Sequence, residues 1–289
     1  MTEEPVTFDV AGESLLGIVS LPEHVTSSRA LLVVVGGPQY RAGSHRQFTL
    51  LTRALARHGI PAMRFDYRGM GDSEGDLRIF ESIGDDIRSA IDALCTRLPA
   101  VKEVVLWGLC DAASAILFYA WHDPRVAGIV LVNPWVYTPE RRAKSLLRHH
   151  YLSQLRSREF WKRVFAAQVS GVQVVRSLWA NIKASLPLRR ATSTGPDPQQ
   201  PLPERMALGL ERYRGPVLLI LSGTDLVAHQ FKDCVAASRR WQRLLSSPRV
   251  TRHEISDAPH TFPSRVWRER VETWTAAWCA GELGNQRAV

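Results

Sequence analysis

Apolar residues recur along this chain with two periods that take turns. Val6 to Val10 and Ser14 to Leu21 alternate about Ala11-Gly12 and predict a β-hairpin, while the continuous run Ala30 to Val35, closed by Gly36-Gly37-Pro38, predicts a strand buried on both faces. His45 to Arg57 has helical spacing, with Ser44 as its cap and His58-Gly59 as its stop. Ile60 to Phe65 predicts the next strand. From Phe80 to Leu98, Ile83, Ile87, Ile91 and Leu94 fall on one helical face, with acids at the start and Arg97 at the end, as the helix dipole favours. A strand over Glu103 to Trp107, a helix over Asp111 to Trp121 and a strand over Val126 to Val132 continue the alternation. Strands and helices at this spacing build a mostly parallel twisted sheet covered by helices on both faces, the α/β class.

Asn133-Pro134-Trp135 breaks the rhythm. From there to Gly215 the sequence is helical and basic, then rich in Ser, Thr, Gly, Pro and Gln from Thr192 to Pro203, which reads as a loop. After Gly215-Pro216 the alternation returns as a strand over Val217 to Leu221, a helix over Phe231 to Leu245, a strand over Val250 to Ile255 and a helix over Ser264 to Leu283. The 289 residues are therefore read as one α/β core, residues 1–135 and 215–289, carrying a helical cap at 136–214 inserted after about the sixth strand.

Composition narrows the class. With 45% apolar and 22% charged residues the chain lies near the globular average, away from disordered, collagen-like and coiled-coil sequences. Its longest apolar runs are strand-sized, well short of the ~20 residues of a membrane span. The start, Met-Thr-Glu-Glu-Pro, is acidic where a secretory signal is basic and then apolar, so a cytoplasmic address is expected. Cys95, Cys110, Cys234 and Cys279 are too few and too irregularly spaced for a disulfide framework or paired zinc ligands, so reduced thiols and no metal or cofactor are expected. The net charge of +9 is concentrated: Thr138 to Arg190 holds twelve basic residues against Glu140 and Glu159, leaving 25 basic and 26 acidic residues elsewhere. Interspersed apolar positions make this segment amphipathic. It can cover a site on the sheet edge with residues such as Trp135, Trp161 and Trp179, and its cations can meet an anionic glycan or membrane surface, a location peripheral to a membrane. No recognisable nucleic-acid motif accompanies the charge, so no nucleic acid is expected as a partner.

The chemistry gathers at strand ends. Gly108-Leu-Cys110-Asp-Ala112 follows an apolar strand and opens a helix, with small residues two before and two after Cys110; this is the spacing of a nucleophile elbow with Cys for Ser and Ala for the last Gly. Small flanks are needed because bulk there would collide with the adjoining strand and helix. The alternative is a small buried cysteine that only packs. Asp225 follows the strand that ends in Ser222-Gly223-Thr224, and His260 lies in the loop between the last strand and the last helix. Nucleophile, acid and histidine thus come in the chain order of a triad, all at the carboxyl edge where open α/β sheets bind ligands; singly, Asp225 reads equally as a helix cap and His260 as a surface loop residue. Gly37, in the loop after the third strand, and the residue after the nucleophile, Asp111, are the candidate oxyanion donors, with Gln39 in reserve because Pro38 has no N–H. The turn Asp66-Tyr-Arg68-Gly-Met-Gly71-Asp-Ser73 lacks a P-loop lysine and is read as structural, as is His253 within its strand.

These motifs resemble the α/β-hydrolase superfamily over nearly the whole chain. More narrowly, Gly36-Gly-Pro-Gln-Tyr-Arg41 with Gly43-Ser-His-Arg46, the Asp66 to Ser73 turn and Gly108-Leu-Cys-Asp-Ala-Ala-Ser114 are similar to the exosortase A system-associated hydrolase 1 family. That resemblance implies an α/β-hydrolase fold and a bacterial cytosolic hydrolase, encoded with exopolysaccharide and exosortase genes, whose triad is Cys110, Asp225 and His260. Three activities are open: hydrolysis of a small-molecule ester, thioester or lactone through an acyl-enzyme, transfer of the acyl group to a sugar or amine, or binding of an anionic surface by a non-catalytic scaffold. The acyl group, the leaving group and the oligomeric state are not legible.

Overall fold

The computed structural model describes residues 1–25, 27–37, 39–136 and 200–281. Eight strands form one sheet: β1 (Thr2–Val10), β2 (Glu13–Leu21), β3 (Arg29–Val34), β4 (Ala62–Phe65), β5 (Glu103–Leu109), β6 (Val126–Val132), β7 (Val217–Ser222) and β8 (Val250–Ile255). Their spatial order is β1-β2-β4-β3-β5-β6-β7-β8, with β1 and β2 antiparallel at one edge and the six from β4 to β8 parallel. The apolar runs occupy the middle: β3, β4, β6 and β7 are buried along nearly their whole length, as parallel strands covered on both faces must be.

The chain steps from β3 to one side to make β4 and then returns to the other side of β3 for β5. Strand order reverses there, so the loops that follow β3 and β5 part and leave a crevice at the carboxyl edge. Register puts the ends level: Val34 lies opposite Gly108, Leu109 opposite Val132, Val132 opposite Ile220 and Ser222 opposite Ile255. Whatever follows β3, β5, β6, β7 and β8 therefore emerges at one edge.

Among the described residues the helices are α1 (Gln47–Arg57), α2 (Gly84–Arg97), α3 (Asp111–Tyr119), α4 (Leu202–Arg212), α5 (Leu226–Ala236), α6 (Arg239–Leu245) and α7 (Arg265–Ala280). Three expectations need correction. Ser44 does not cap α1: His45 and Arg46 take left-handed φ values of 52° and 60°, and the helix begins only at Gln47. The helix expected from Phe231 to Leu245 is two, α5 and α6, because Ser238 leaves helical geometry and its hydroxyl caps the Trp241 N–H at 3.4 Å. Leu202–Arg212, expected in the loop and cap, is α4, packed on α3.

The packing of α4 is intimate. Arg205 pairs with Glu81 at 2.5 Å and lies over the Phe118 ring at 4.9 Å, and the Trp241 indole N–H donates to the Pro203 carbonyl at 3.2 Å. Gly209 lies so close to α3 that a Cβ there would be 2.0 Å from the Leu117 carbonyl oxygen. The turn after β4 is structural as expected: Asp86 accepts two bonds from the Arg68 guanidinium at 2.9 Å each, and Asp66 accepts the Arg41 N–H at 2.6 Å and pairs with its guanidinium. By its contacts the chain divides into two units, Met1–Val136 with Gly195–Val289, and Tyr137–Thr194. The second lies outside the described residues, and with it most of the expected cap. No helix among the described residues is long and apolar enough to cross a membrane.

Gly209→Ala tests whether α4 belongs to the core. In a loosely attached helix the change would stabilise by up to about 1 kcal/mol, whereas the contact with Leu117 should force the helices apart and destabilise by about 1–3 kcal/mol, measured as a fall in urea midpoint.

Candidate active site

The crossover from β5 to α3 is a single residue. Cys110 sits at φ 64°, ψ −124°, a region that side chains avoid, so the chain reverses between strand and helix and leaves the residue at the apex. Both of its peptide groups are tied down. Its N–H donates to Val132 at 2.9 Å, and its carbonyl accepts the N–H groups of Ala113 at 3.1 Å and Trp135 at 3.2 Å. The small residues beside it are required by contact: a Cβ on Gly108 would lie 2.8 Å from the backbone of Ala112 and Ala113, and Ala112 itself is fully buried.

The ends of β7 and β8 supply a carboxylate–imidazole pair. Asp225 caps α5, accepting the Val227 N–H at 3.2 Å and the Ala228 N–H at 3.1 Å, and its Oδ2 lies 2.8 Å from His260 Nδ1. A carboxylate can only accept, so Nδ1 carries the proton and Nε2 is left as the basic nitrogen. Burial works against the Asp225 charge, but the bonds from His260 and the two amides outweigh it and hold the carboxyl below its ordinary range. One side chain thus both caps α5 and bonds the His260 ring. Its charge also reaches Cys110.

A second polar cluster holds the histidine loop, and it was not legible in the sequence. Asn133, fully buried at the end of β6 with φ 44°, donates to Ser222 Oγ at 2.9 Å and to the His260 carbonyl at 3.1 Å, and accepts the Ser222 N–H at 2.8 Å. Ser222 Oγ in turn donates to the Pro259 carbonyl at 3.1 Å. The Asn133-Pro134 break marks the end of a strand; nothing in its spacing points to a partner more than a hundred residues away.

The expected oxyanion donors are arranged less simply. Gly37 stands at φ 60° after β3, beside the elbow, but its N–H donates to Asp111 Oδ2 at 3.0 Å. Gln39 uses its side chain to accept the Ser44 N–H at 3.2 Å, which holds the loop before α1. Burial pushes the Cys110 thiol up to about 12, the Asp111 charge adds to this, and the Asp111 N–H acts in the opposite direction. Asp111 is itself raised by burial, against the hydrogen bonds of Gly37, Ala112 and its own N–H.

Of the three tryptophans expected in the acyl pocket, Trp135 is half-buried beside the elbow, its carbonyl accepting Ser114 Oγ at 2.6 Å. Trp161 and Trp179 lie outside the described residues. The other cysteines lie on helices, and Cys279 is fully enclosed in the core. His253 stacks on Trp274 at 4.4 Å on β8, a structural contact. The described residues contain no group of three or more potential metal ligands.

A sequence profile of the Alpha/beta hydrolase family matches residues 31–273. The polyketide transferase GrgF of Penicillium sp. is 32% identical over 118 residues, 38% of this chain and 40% of that protein, so the match spans two-fifths of its length. The crystal structure of the same protein, described as an alpha/beta hydrolase, superposes with a TM-score of 0.61 at 17% identity, over 96% of this chain and 98% of that one. An esterase of Pyrococcus furiosus superposes at 0.65 with 14% identity, over 96% and 90% of the two chains. The esterase domain of a Rhodothermus marinus protein gives 0.60 at 19% identity, over 96% and 98%.

Asn133→Ala removes three hydrogen bonds and leaves the Ser222 N–H and the His260 carbonyl unpaired. Stability should fall by about 2–3 kcal/mol in urea titration, with turnover falling more than KM rises. An unchanged urea midpoint would show that the cluster does not hold the loop.

Proposed function

We propose that this chain, which belongs to the alpha/beta hydrolase family, cleaves an ester, thioester or lactone with Cys110 as its nucleophile. The observation that carries the proposal is one arrangement: a cysteine held at φ 64° on the strand-to-helix turn, with a His260–Asp225 pair bonded at 2.8 Å at the same sheet edge. In this reading His260 Nε2 takes the Sγ proton, and the thiolate attacks the carbonyl carbon. The carbonyl electrons move to oxygen and return as the leaving alcohol or thiol departs with the proton from His260. Water, deprotonated by the same histidine, then opens the thioester and restores the thiol. Gly37 and Asp111 supply the N–H groups for the oxyanion, and Asp225 holds the imidazole in the tautomer the reaction needs.

The small-molecule acyl group would lie against Trp135. The cap, expected from 136 to 214, is left in this reading with the stretch before α4, which carries Trp161 and Trp179 and the twelve clustered cations. Those cations would meet an anionic glycan or the inner face of a membrane, consistent with a cytoplasmic or peripheral enzyme beside exopolysaccharide synthesis, as the resemblance to the exosortase-associated family implies. Association should weaken with salt, since the Debye length falls from about 10 Å at 0.1 M to about 3 Å at 1 M. Co-sedimentation with anionic and neutral vesicles over a salt series checks this. Equal binding to both, insensitive to salt, would remove the role.

One observation favours transfer over hydrolysis as the second reading: the relative at 32% identity is named a polyketide transferase. A thioester acyl-enzyme serves either outcome, and the acceptor decides between them.

Intact mass after mixing with p-nitrophenyl acyl esters should show an acyl adduct on the wild type and none on Cys110→Ala, with turnover lost. Asp225→Asn should retain labelling by iodoacetamide at Cys110 while losing turnover by about 10⁴-fold. Full turnover by Cys110→Ala, or an acyl adduct still formed on that variant, would overturn the assignment.

A further inference from the structure

Asp111 comes directly after Cys110, and its carboxylate turns back across the elbow toward β3. Oδ2 accepts the Gly37 N–H at 3.0 Å. Oδ1 is fully buried and has no hydrogen-bond partner. Space for it exists because residue 36 is glycine: a Cβ there would lie 2.3 Å from Oδ1. The N–H that a reacting carbonyl oxygen needs is therefore already taken by an oxygen of the protein itself.

A carboxylate oxygen and a tetrahedral oxyanion make the same demand on an amide N–H. They differ in what each does to the sulfur: the oxyanion forms as Sγ gives up its electrons, whereas a resting carboxylate opposes a second negative charge beside it. We propose that Asp111 is a built-in occupant of the oxyanion pocket, which the carbonyl oxygen of the substrate displaces, and that Cys110 is held as an unreactive thiol until this exchange happens. The proposal rests on the reading of Cys110 as the nucleophile and adds a positioning residue to it.

The orphaned Oδ1 fits this role. A side chain hydrogen-bonded at both oxygens would block the pocket; this one is bonded through Oδ2, the Ala112 and Asp111 amides also favour its charge, and Oδ1 is left unbonded, so it can leave when another acceptor arrives. The thiol in turn is pushed up first by burial and next by Asp111. The other titratable groups in play are Tyr67 on the loop after β4, raised to about 12 first by burial and then by Asp111, and His260, which favours the Asp111 charge.

The test is the pH dependence of alkylation at Cys110 by iodoacetamide, followed by peptide mass mapping between pH 6 and 10, in wild type, Asp111→Asn and Asp111→Ala. Asn keeps the shape and an acceptor for Gly37 but removes the charge; Ala removes the occupant as well. Both variants should be alkylated about tenfold faster or more at pH 7.5, with the rate–pH profile moved down by about one unit or more, since below its pKa each unit raises the thiolate fraction tenfold. Rates within twofold of wild type across the range in either variant would overturn the proposal. Alkylation reads the state of the thiol whether or not Cys110 is catalytic. Full turnover by Cys110→Ala would thus reject the nucleophile while leaving the alkylation result to decide on Asp111.

Discussion

A residue other than glycine held at positive φ with an extended ψ costs about 1–3 kcal/mol, and in this protein the edge of the sheet is organised around one such residue, Cys110. A strand that ran on into α3 without that reversal would point the residue into the sheet or the helix; the reversal lifts it clear of both. Three hydrogen bonds to its peptide groups come from three sources, the end of β6, the first turn of α3 and Trp135, so the strained conformation is over-determined. Gly108 and Ala112 follow from it, because the reversal brings strand and helix backbones into contact. So does the seam between β5 and β6, since the Val132 carbonyl that would continue the ladder is used to hold the elbow.

The same edge is braced further along by Asn133, also at positive φ, whose side chain spans from β6 to β7 and on to the histidine loop. Neighbouring strand ends are thus joined in series: the elbow after β5 to β6, β6 to β7 through Ser222, and β7 to the loop after β8 through the Pro259 carbonyl. Asp225 completes the series by serving two elements at once, helix α5 and His260. Because most of these bonds are buried and those of Asp225 are charge-assisted, the imidazole is held by the ends of rigid strands, which limits its motion relative to the elbow.

The sheet was readable because strand periodicity reports burial, and burial follows the strand whatever its partner. Seven of the eight strands begin and end within two residues of the predicted limits, and β1 runs four residues further toward the N-terminus than its pattern indicated. Helix starts were less readable. Ser44 has the right chemistry for a cap, but the chain after it is wound left-handed at His45 and Arg46, and its own N–H goes to Gln39. Ser238 has the same chemistry and does cap, in the middle of what the apolar spacing presented as one helix. Among the site residues, Cys110, Asp225 and His260 could be singled out because each follows a strand with an unmistakable end. Asn133 could not, since its partners lie on β7 and in the loop after β8, and neither could the Asp111 bond to Gly37, which depends on the crossover of the chain at β3.

That crossover also makes the elbow electrostatically unusual. Asp225 is held below its ordinary range by hydrogen bonds that outweigh burial, whereas at Asp111 burial outweighs the neighbouring amides and raises the carboxyl. In the proposed reaction Asp225 would work through the imidazole, favouring a positive charge there as the sulfur loses its proton, and Asp111 would work directly on the sulfur and on the Gly37 N–H. An oxygen that competes with substrate for Gly37 competes equally with the carbonyl of the acyl-enzyme. The thioester would then be held in a pocket that its own protein can reclaim, and each deacylation has to take place before or after that exchange. Whichever nucleophile arrives, water or an acceptor alcohol or amine, its attack regenerates the oxyanion and needs the Gly37 N–H again. On that reading the partition between hydrolysis and transfer would be governed at the Gly37 N–H, and the identity of the residue after Cys110 would bear on both.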